Sequence, residues 1–259
     1  MSLFNIRKRH ARPLRIIAVV LLLGILGGGY YAYTLYQRIF NPNISGSTNI
    51  VLYIRPGVQV DDLKDSLAKY QVLDNRNSFT WVAQQMDYRG AVKPGRYVLK
   101  PGMNNREIVN LFRGGFQEAI LLPIVKKRTL TELAQYLSER LLLTANELMV
   151  AFQDESLLDS LGVKQETLIG LFLADSYQLY WTTSAEDLLF RMKREFDAYW
   201  DEERRNKAAA HGLTPMEVIT LASIVEEETA QEVEKPRVAG LYLNRLERGW
   251  KLQADPTVK

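Results

Sequence analysis

Ile16-Ile-Ala-Val-Val-Leu-Leu-Leu-Gly-Ile-Leu-Gly-Gly-Gly-Tyr-Tyr-Ala-Tyr33 carries no charge over 18 residues. As a helix rising about 1.5 Å per residue it spans roughly 27 Å, close to the hydrocarbon thickness of a bilayer. Arg7, Lys8, Arg9, Arg12 and Arg15 precede it with no acidic residue among them. Positive flanks stay on the cytoplasmic side. The expected layout is therefore a cytoplasmic tail over 1–15 and a single transmembrane helix over 16–36. The rest of the chain would then lie outside the cytoplasmic (inner) membrane. Tyr30, Tyr31, Tyr33 and Tyr36 fall where aromatic side chains meet the outer interface. A cleaved signal peptide shares the charge-then-apolar pattern, but bulky tyrosines occupy the stretch where a small-residue cleavage site would stand. The helix reads as an uncleaved anchor in the lipid bilayer.

The composition supports a folded body behind that anchor. Of 259 residues, 47% are hydrophobic and 24% charged, enough apolar surface for a core and too much for disorder. The chain has no cysteine, which excludes disulfides, thiolate zinc sites and a cysteine nucleophile together. Five of the 33 basic residues lie in the tail, leaving 28 against 30 acidic ones. The body is thus slightly acidic, and the pI of 8.9 reports topology. Nucleic acid is not an expected partner.

Beyond the anchor, the polar stretch with Pro42 and Gly46 reads as a linker over 37–48. Asn49-Ile-Val-Leu-Tyr-Ile54 reads as a strand closed by Arg55-Pro56-Gly57. Helical apolar spacing follows over 60–70 and again over 77–86, then a strand at Gly95-Arg-Tyr-Val-Leu99 and a helix over 105–112. This β-α-α-β unit and its trailing helix end at Gly114-Gly115, giving a module over 49–115. The remainder, 116–259, is mostly helical, with periodic segments over 130–142, 146–152 and 185–200. The expected fold class is α+β.

The most informative helix starts at Thr214-Pro-Met-Glu217. Thr214 is placed to cap it, Pro215 suits its first position, and Glu217 completes a capping box. Projected at about 100° per residue from Leu221, Val218, Ile224 and Val225 fall within about 60°, and Glu228 within about 20°. Glu226 and Glu227 fall about 140° and 120° away, toward solvent on this projection. One of three consecutive glutamates therefore sits in the apolar stripe, where a carboxylate is costly unless neutral or paired. Burial raises a carboxyl pKa, as a general acid at neutral pH requires. The bland alternative is a glutamate tipped into solvent at a fraying helix end, where it opposes the macrodipole.

Three linked segments carry a resemblance: Leu221-Ala-Ser-Ile-Val-Glu-Glu-Glu-Thr229, Arg237-Val-Ala-Gly-Leu-Tyr-Leu-Asn-Arg-Leu246, and Leu252-Gln-Ala-Asp-Pro-Thr-Val258. Together they resemble the endolytic murein transglycosylase (YceG-like) family, which shows an (L/M)ASI(I/V)EKET helix, an NRL segment and an LQTDPTV segment in this order and spacing. The resemblance implies a catalytic glutamate at Glu228, the residue that the helical projection also selects. It implies a lyase that cleaves the β-1,4 bond between N-acetylmuramic acid and N-acetylglucosamine inside peptidoglycan strands and leaves 1,6-anhydromuramyl ends. It implies no metal or other cofactor, and candidate partners among the peptidoglycan synthases (penicillin-binding proteins). The 49–115 module is similar to the family's LysM-like module, and 116–259 to its catalytic domain. Asn244, Gln253, Asp255 and Thr257 are the polar residues expected to line the cleft, although Asp255-Pro256 is also an ordinary turn opening. Tyr177, with Tyr180 and Trp181, is a candidate aromatic face for sugar rings, and such aromatics are more often core.

The chain departs from the family at Ile169 and Ala174, where many relatives carry an acid and a proline. Relatives also continue past the Asp-Pro-Thr-Val segment, so the resemblance leads one to expect a catalytic domain that is incomplete at Lys259. Two other functions compete with the lyase. One is a muramidase-type hydrolase with Asp255 activating water. The other is a membrane-anchored glycan-binding scaffold without turnover. A serine hydrolase is disfavoured, because the only histidines are His10 and His211 and a triad needs a base outside the tail.

Overall fold

The structure is a computed structural model that describes residues 11–44 and 46–254. Its contacts divide the chain into two units, one running through Glu118 and the other from Ala119.

The first unit begins with α1 (Ala11–Phe40), followed by β1 (Ile50–Ile54), α2 (Val60–Lys69), α3 (Arg76–Gln85), β2 (Gly95–Leu99) and α4 (Asn105–Gly114). Over Ile16–Phe40, α1 is long and apolar enough to cross a bilayer. The two strands pair antiparallel, Ile50 opposite Leu99 through Ile54 opposite Gly95. The helices place Leu63, Leu67, Phe79, Val82, Ile108 and Phe112 against Tyr97 and Leu99 in one core. Local chemistry sets the boundaries. Asn75 caps α3, Asn104 and Glu107 form a capping box on α4, and Gly115 ends α4 at φ 72°. A left-handed C-cap of this kind favours glycine.

The stretch read as a linker over 37–48 is partly built into this unit. Asn43 and Ile44 are 2% and 4% exposed. Asn43 N–H donates to the Met103 carbonyl at 2.8 Å, and its carbonyl accepts from Asp74 N–H at 3.1 Å. Asn105 donates from Nδ2 to the Arg38 carbonyl at 2.7 Å and to Ser78 Oγ at 2.9 Å, and accepts from Asn43 Nδ2 at 2.5 Å. Buried amides survive only with partners, and here those partners join the end of α1 to α3 and α4.

The second unit comprises β3 (Ile120–Pro123), α5 (Leu130–Ser138), α6 (Ala145–Phe152), α7 (Glu155–Leu161), a 3-10 helix (Gln165–Leu171), β4 (Ser176–Leu179), α8 (Ala185–Tyr199), α9 (Glu202–Ala210), α10 (Pro215–Glu228) and α11 (Lys235–Glu247). β3 and β4 pair antiparallel, Leu122 opposite Tyr177. Leu133, Leu137, Leu148, Phe152, Leu168, Leu188 and Met192 pack over them. Helix α10 contributes Met216, Val218 and Ile219 to the edge of this core. Its later residues Leu221 and Val225 form a separate small core with Tyr242 and Ala254.

Candidate active site

The start of α10 follows from its sequence. Thr214 Oγ1 accepts from Glu217 N–H at 3.3 Å, and Glu217 Oε2 accepts from Thr214 N–H at 2.8 Å. The backbone and side-chain hydrogen bonds from Thr214 hold the Glu217 carboxyl below its ordinary range. Glu217 is therefore a structural carboxylate. At the other end the helix stops at Glu228, and Thr229 turns into extended backbone (φ −145°, ψ 134°). Thr229 Oγ1 donates to Glu234 Oε2 at 2.7 Å, which brings the chain round to α11.

That return places Tyr242 beside Glu228. Tyr242 is 4% exposed, and its hydroxyl donates to Glu228 Oε1 at 2.8 Å. Glu228 is half-buried at the edge of the small core. With Oε1 occupied by a phenolic donor, Oε2 is the oxygen left to carry or exchange a proton. Arg245 extends the arrangement, lying over the Tyr242 ring at 5.9 Å and donating to the Leu252 carbonyl. The sequence reading missed Tyr242. The signal was available, since an i to i+14 pairing is what a short helix–turn–helix return allows, but helical projection treats one helix at a time.

The two neighbouring glutamates differ from each other. The Glu226 side chain is 49% exposed, as the projection expects. Glu227 is only partly exposed and is engaged by two cations rather than free in solvent, which modifies that reading. Its carboxylate takes Lys126 Nζ on Oε1 and Arg128 Nη2 on Oε2, both at 2.6 Å, and its side chain is only 21% exposed. The hydrogen bond from Lys126, reinforced by the charges of Lys126 and Arg128, holds this carboxyl below its ordinary range.

The other expected residues are only partly brought together. Asn244 is exposed and lies two residues past Tyr242, about 200° round α11, away from the side that meets Glu228. Gln253 is exposed with φ 50°, next to Ala254, which packs with Tyr242. Asp255 and Thr257 lie outside the described residues. Tyr177 is corrected to a core residue. It is 6% exposed on β4, its hydroxyl donates to the Leu173 carbonyl at 2.9 Å, and burial pushes its pKa up. Trp181 is buried likewise, while Tyr180 is exposed.

Two grooves flank α10. One, of about 760 Å³, has walls of Trp200, Leu221, Val225 and Pro236; the other, of about 380 Å³, is bounded by Ile169, Ala174, Thr220 and Ser223. Both departures from the family pattern thus line the smaller groove. Glu226 borders both grooves and Glu228 neither. Among the described residues, no three His, Asp or Glu side chains are grouped to hold a metal ion.

Fold and site together define a mostly helical α+β protein with an apolar N-terminal helix and a half-buried carboxylate held by a tyrosine from the next helix. The chain matches the YceG-like family over residues 52–259 and belongs to it. It is 24% identical over 257 residues to the endolytic murein transglycosylase of Bacillus subtilis, covering 90% of this chain and 68% of that protein. It is 26% identical over 280 residues to the endolytic murein transglycosylase of Streptococcus pneumoniae, covering 95% of this chain and 49% of that one. The chain thus spans about two thirds of one relative and about half of the other. A crystal structure of a YceG-like protein from Listeria monocytogenes aligns with a TM-score of 0.47 at 22% identity, covering 82% of this chain and 75% of that one.

Proposed function

We propose that this protein is a membrane-anchored endolytic peptidoglycan lytic transglycosylase in which Glu228 is the general acid and then the general base. One observation carries the reading. The glutamate that the family motif aligns with catalysis is also the one whose Oε1 is fixed by the Tyr242 hydroxyl at 2.8 Å. Tyr242 donates to the carbonyl-like oxygen of a protonated Glu228, so the acidic proton resides on Oε2. From there it passes to the glycosidic oxygen between muramic acid and glucosamine as the C1–O bond breaks. Oε2, now ionised, takes the proton of the muramyl 6-hydroxyl as that oxygen bonds to C1. The proton count closes on one carboxyl. Ordinary glycosidases need a second carboxylate to supply or activate a nucleophile; here the nucleophile belongs to the same sugar, and intramolecular attack has a large effective-molarity advantage.

Asn244, Gln253, Asp255 and Thr257 remain the polar residues assigned to glycan binding in this reading. The β-α-α-β unit is assigned a LysM-like role in holding the strand. The body is placed on the extracytoplasmic side, where glycan strands and their synthases lie. The test is product analysis on the intact protein with purified glycan strands. Glu228→Gln keeps the side-chain volume but removes the exchangeable proton, and turnover should fall about 100- to 10,000-fold. Anhydromuramyl ends are the expected product. Reducing ends would replace the lyase by a hydrolase, and glycan binding without any product would leave a scaffold.

A further inference from the structure

We propose that Glu227 is a positioning residue: clamped by Lys126 and Arg128, it docks the last turn of α10 onto the 124–129 segment and so fixes the direction in which Glu228 points. The inference rests on the catalytic reading of Glu228 above. The last turn of α10 has little of its own to hold it. Helix ends leave their final carbonyls without intrahelical donors. Here no basic residue lies in the last turn, and the helix exits through an extended Thr229 rather than a left-handed cap. Three successive carboxylates at this end also oppose one another and the negative pole of the helix. Val225 and the Tyr242–Glu228 bond seat one side of this turn, and the charge on its other side calls for cations from elsewhere.

They arrive from about a hundred residues upstream, on a segment that is itself pinned. Ile124 N–H donates to the Asp175 carbonyl at 2.8 Å. Arg128 N–H donates to Glu132 Oε2 at 3.1 Å, and Thr129 caps α5. The Tyr136 hydroxyl donates to the Pro123 carbonyl, and Lys127 lies over the Tyr136 ring at 4.7 Å. Lys126 and Arg128 are thus presented from a fixed base, one to each oxygen of Glu227, and Lys126 also reaches Glu226 at 3.5 Å. A carboxylate gripped through both oxygens fixes the rotation of its helix turn. Glu228 is the next residue, about 100° further round, so the same grip sets its approach to Tyr242 and substrate. This chain carries a glutamate at 227 where the family motif carries a lysine, and the structure supplies the two cations that make the exchange workable.

The experiment compares Glu227→Gln with wild type by kcat, KM and amide exchange of residues 225–229. Loss of the clamp should lower kcat about tenfold, since small misplacements of a reacting group are costly, while KM changes less than about twofold. Exchange of the last turn should speed up. A charge-reversed set, Glu227→Lys with Lys126→Glu and Arg128→Glu, should restore most of the lost kcat, whereas Glu227→Lys alone should not. Normal kcat and unchanged exchange in Glu227→Gln would overturn the clamp. If wild type releases no anhydro product, the catalytic reading falls, and amide exchange alone then decides whether the clamp exists. If the variants unfold, the charge-reversed set decides: recovery of fold without recovery of kcat would reduce Glu227 to a structural residue.

Discussion

A carboxylate becomes an acid catalyst through its neighbours, and on the proposed reading the neighbour that matters most for Glu228 is a single hydroxyl. Tyr242 is nearly fully buried, so its ring packs with Leu221, Val225 and Ala254 whether or not the hydroxyl is present. Tyr242→Phe should therefore leave the fold within about 1 kcal/mol of wild type, the net value of one hydrogen bond. It should nevertheless reduce kcat about tenfold, because the carboxyl loses the contact that selects which oxygen carries the proton. Thermal melts and steady-state kinetics on the same preparation separate these two effects; a large melting change with proportionate loss of activity would make Tyr242 merely structural. On the proposed catalytic reading Glu228 stands out in the sequence as a charge projected into an apolar stripe, a contradiction visible within one helix. Tyr242, Lys126 and Arg128 were missed, since each reaches the glutamates from another element, which one-helix periodicity does not encode. Tyr177 misled for the opposite reason: an aromatic beside polar residues looks available for stacking until its strand is paired and covered.

At the scale of elements, what the sequence announces most clearly is where helices begin. The capping box at Thr214 is one case, with Oγ1 accepting from Glu217 N–H and the Glu217 carboxylate accepting from Thr214 N–H. Thr214→Ala should destabilise the second unit by about 1 kcal/mol, the usual loss of a threonine N-cap. The companion variant, Glu217→Ala, should show a pH-dependent penalty. The Glu217 pKa is lowered in the folded state by its bonds to Thr214, so its contribution is present above the unfolded carboxyl value, about 4.3. That contribution is lost as pH falls through the folded value. Melting curves of wild type and Glu217→Ala should diverge at pH 7 and draw together as pH falls through the lowered folded value; a gap that persists in acid would assign the effect to packing. Strands β1 and β2 were anticipated as elements, because both carry β-branched and aromatic residues between marked turns; that they pair with each other is a finding of the structure. Strands β3 and β4 were not anticipated. Each strand has four residues, and more than fifty residues separate Leu122 from its partner Tyr177. Helix α9 escaped for another reason: its sequence Glu-Glu-Arg-Arg-Asn-Lys-Ala-Ala-Ala has no apolar stripe, and only Ala208 is buried.

At the scale of the whole molecule, the joint between α1 and the unit that follows it bears on how the protein is held. On the anchor reading, residues 16–33 fill the hydrocarbon, and the seven helical residues from Thr34 to Phe40 rise about 10 Å beyond it. This emergent part is already structural. Ile39 packs against the first core, Arg38 lies over Trp81 at 5.6 Å, and Arg106 lies over Phe40 at 5.9 Å. The Arg38 carbonyl is taken by the buried Asn105. Asn105→Ala should leave the Arg38 carbonyl without its donor and remove one of the two acceptors of the Asn43 amide, the Asn75 carbonyl at 3.1 Å remaining, at a cost of about 1–3 kcal/mol. It should also speed amide exchange at Asn43 and Asp74, whose N–H groups bond across the joint; loop-like exchange of those amides in wild type would mean that no such joint forms. The same geometry predicts the fate of the anchor in cells. Proteolytic removal of a leader needs extended, accessible chain near the outer end of the apolar helix. Here that stretch is continuous helix whose last turn is bonded into a folded unit. The full-length protein should therefore stay in the membrane fraction with its first forty residues attached. A reporter fused after Lys259 should be active only outside the cytoplasm. Recovery of a soluble form that begins beyond Phe40 would show that the last turn of α1 opens before the unit folds, and the anchor reading would fall with it.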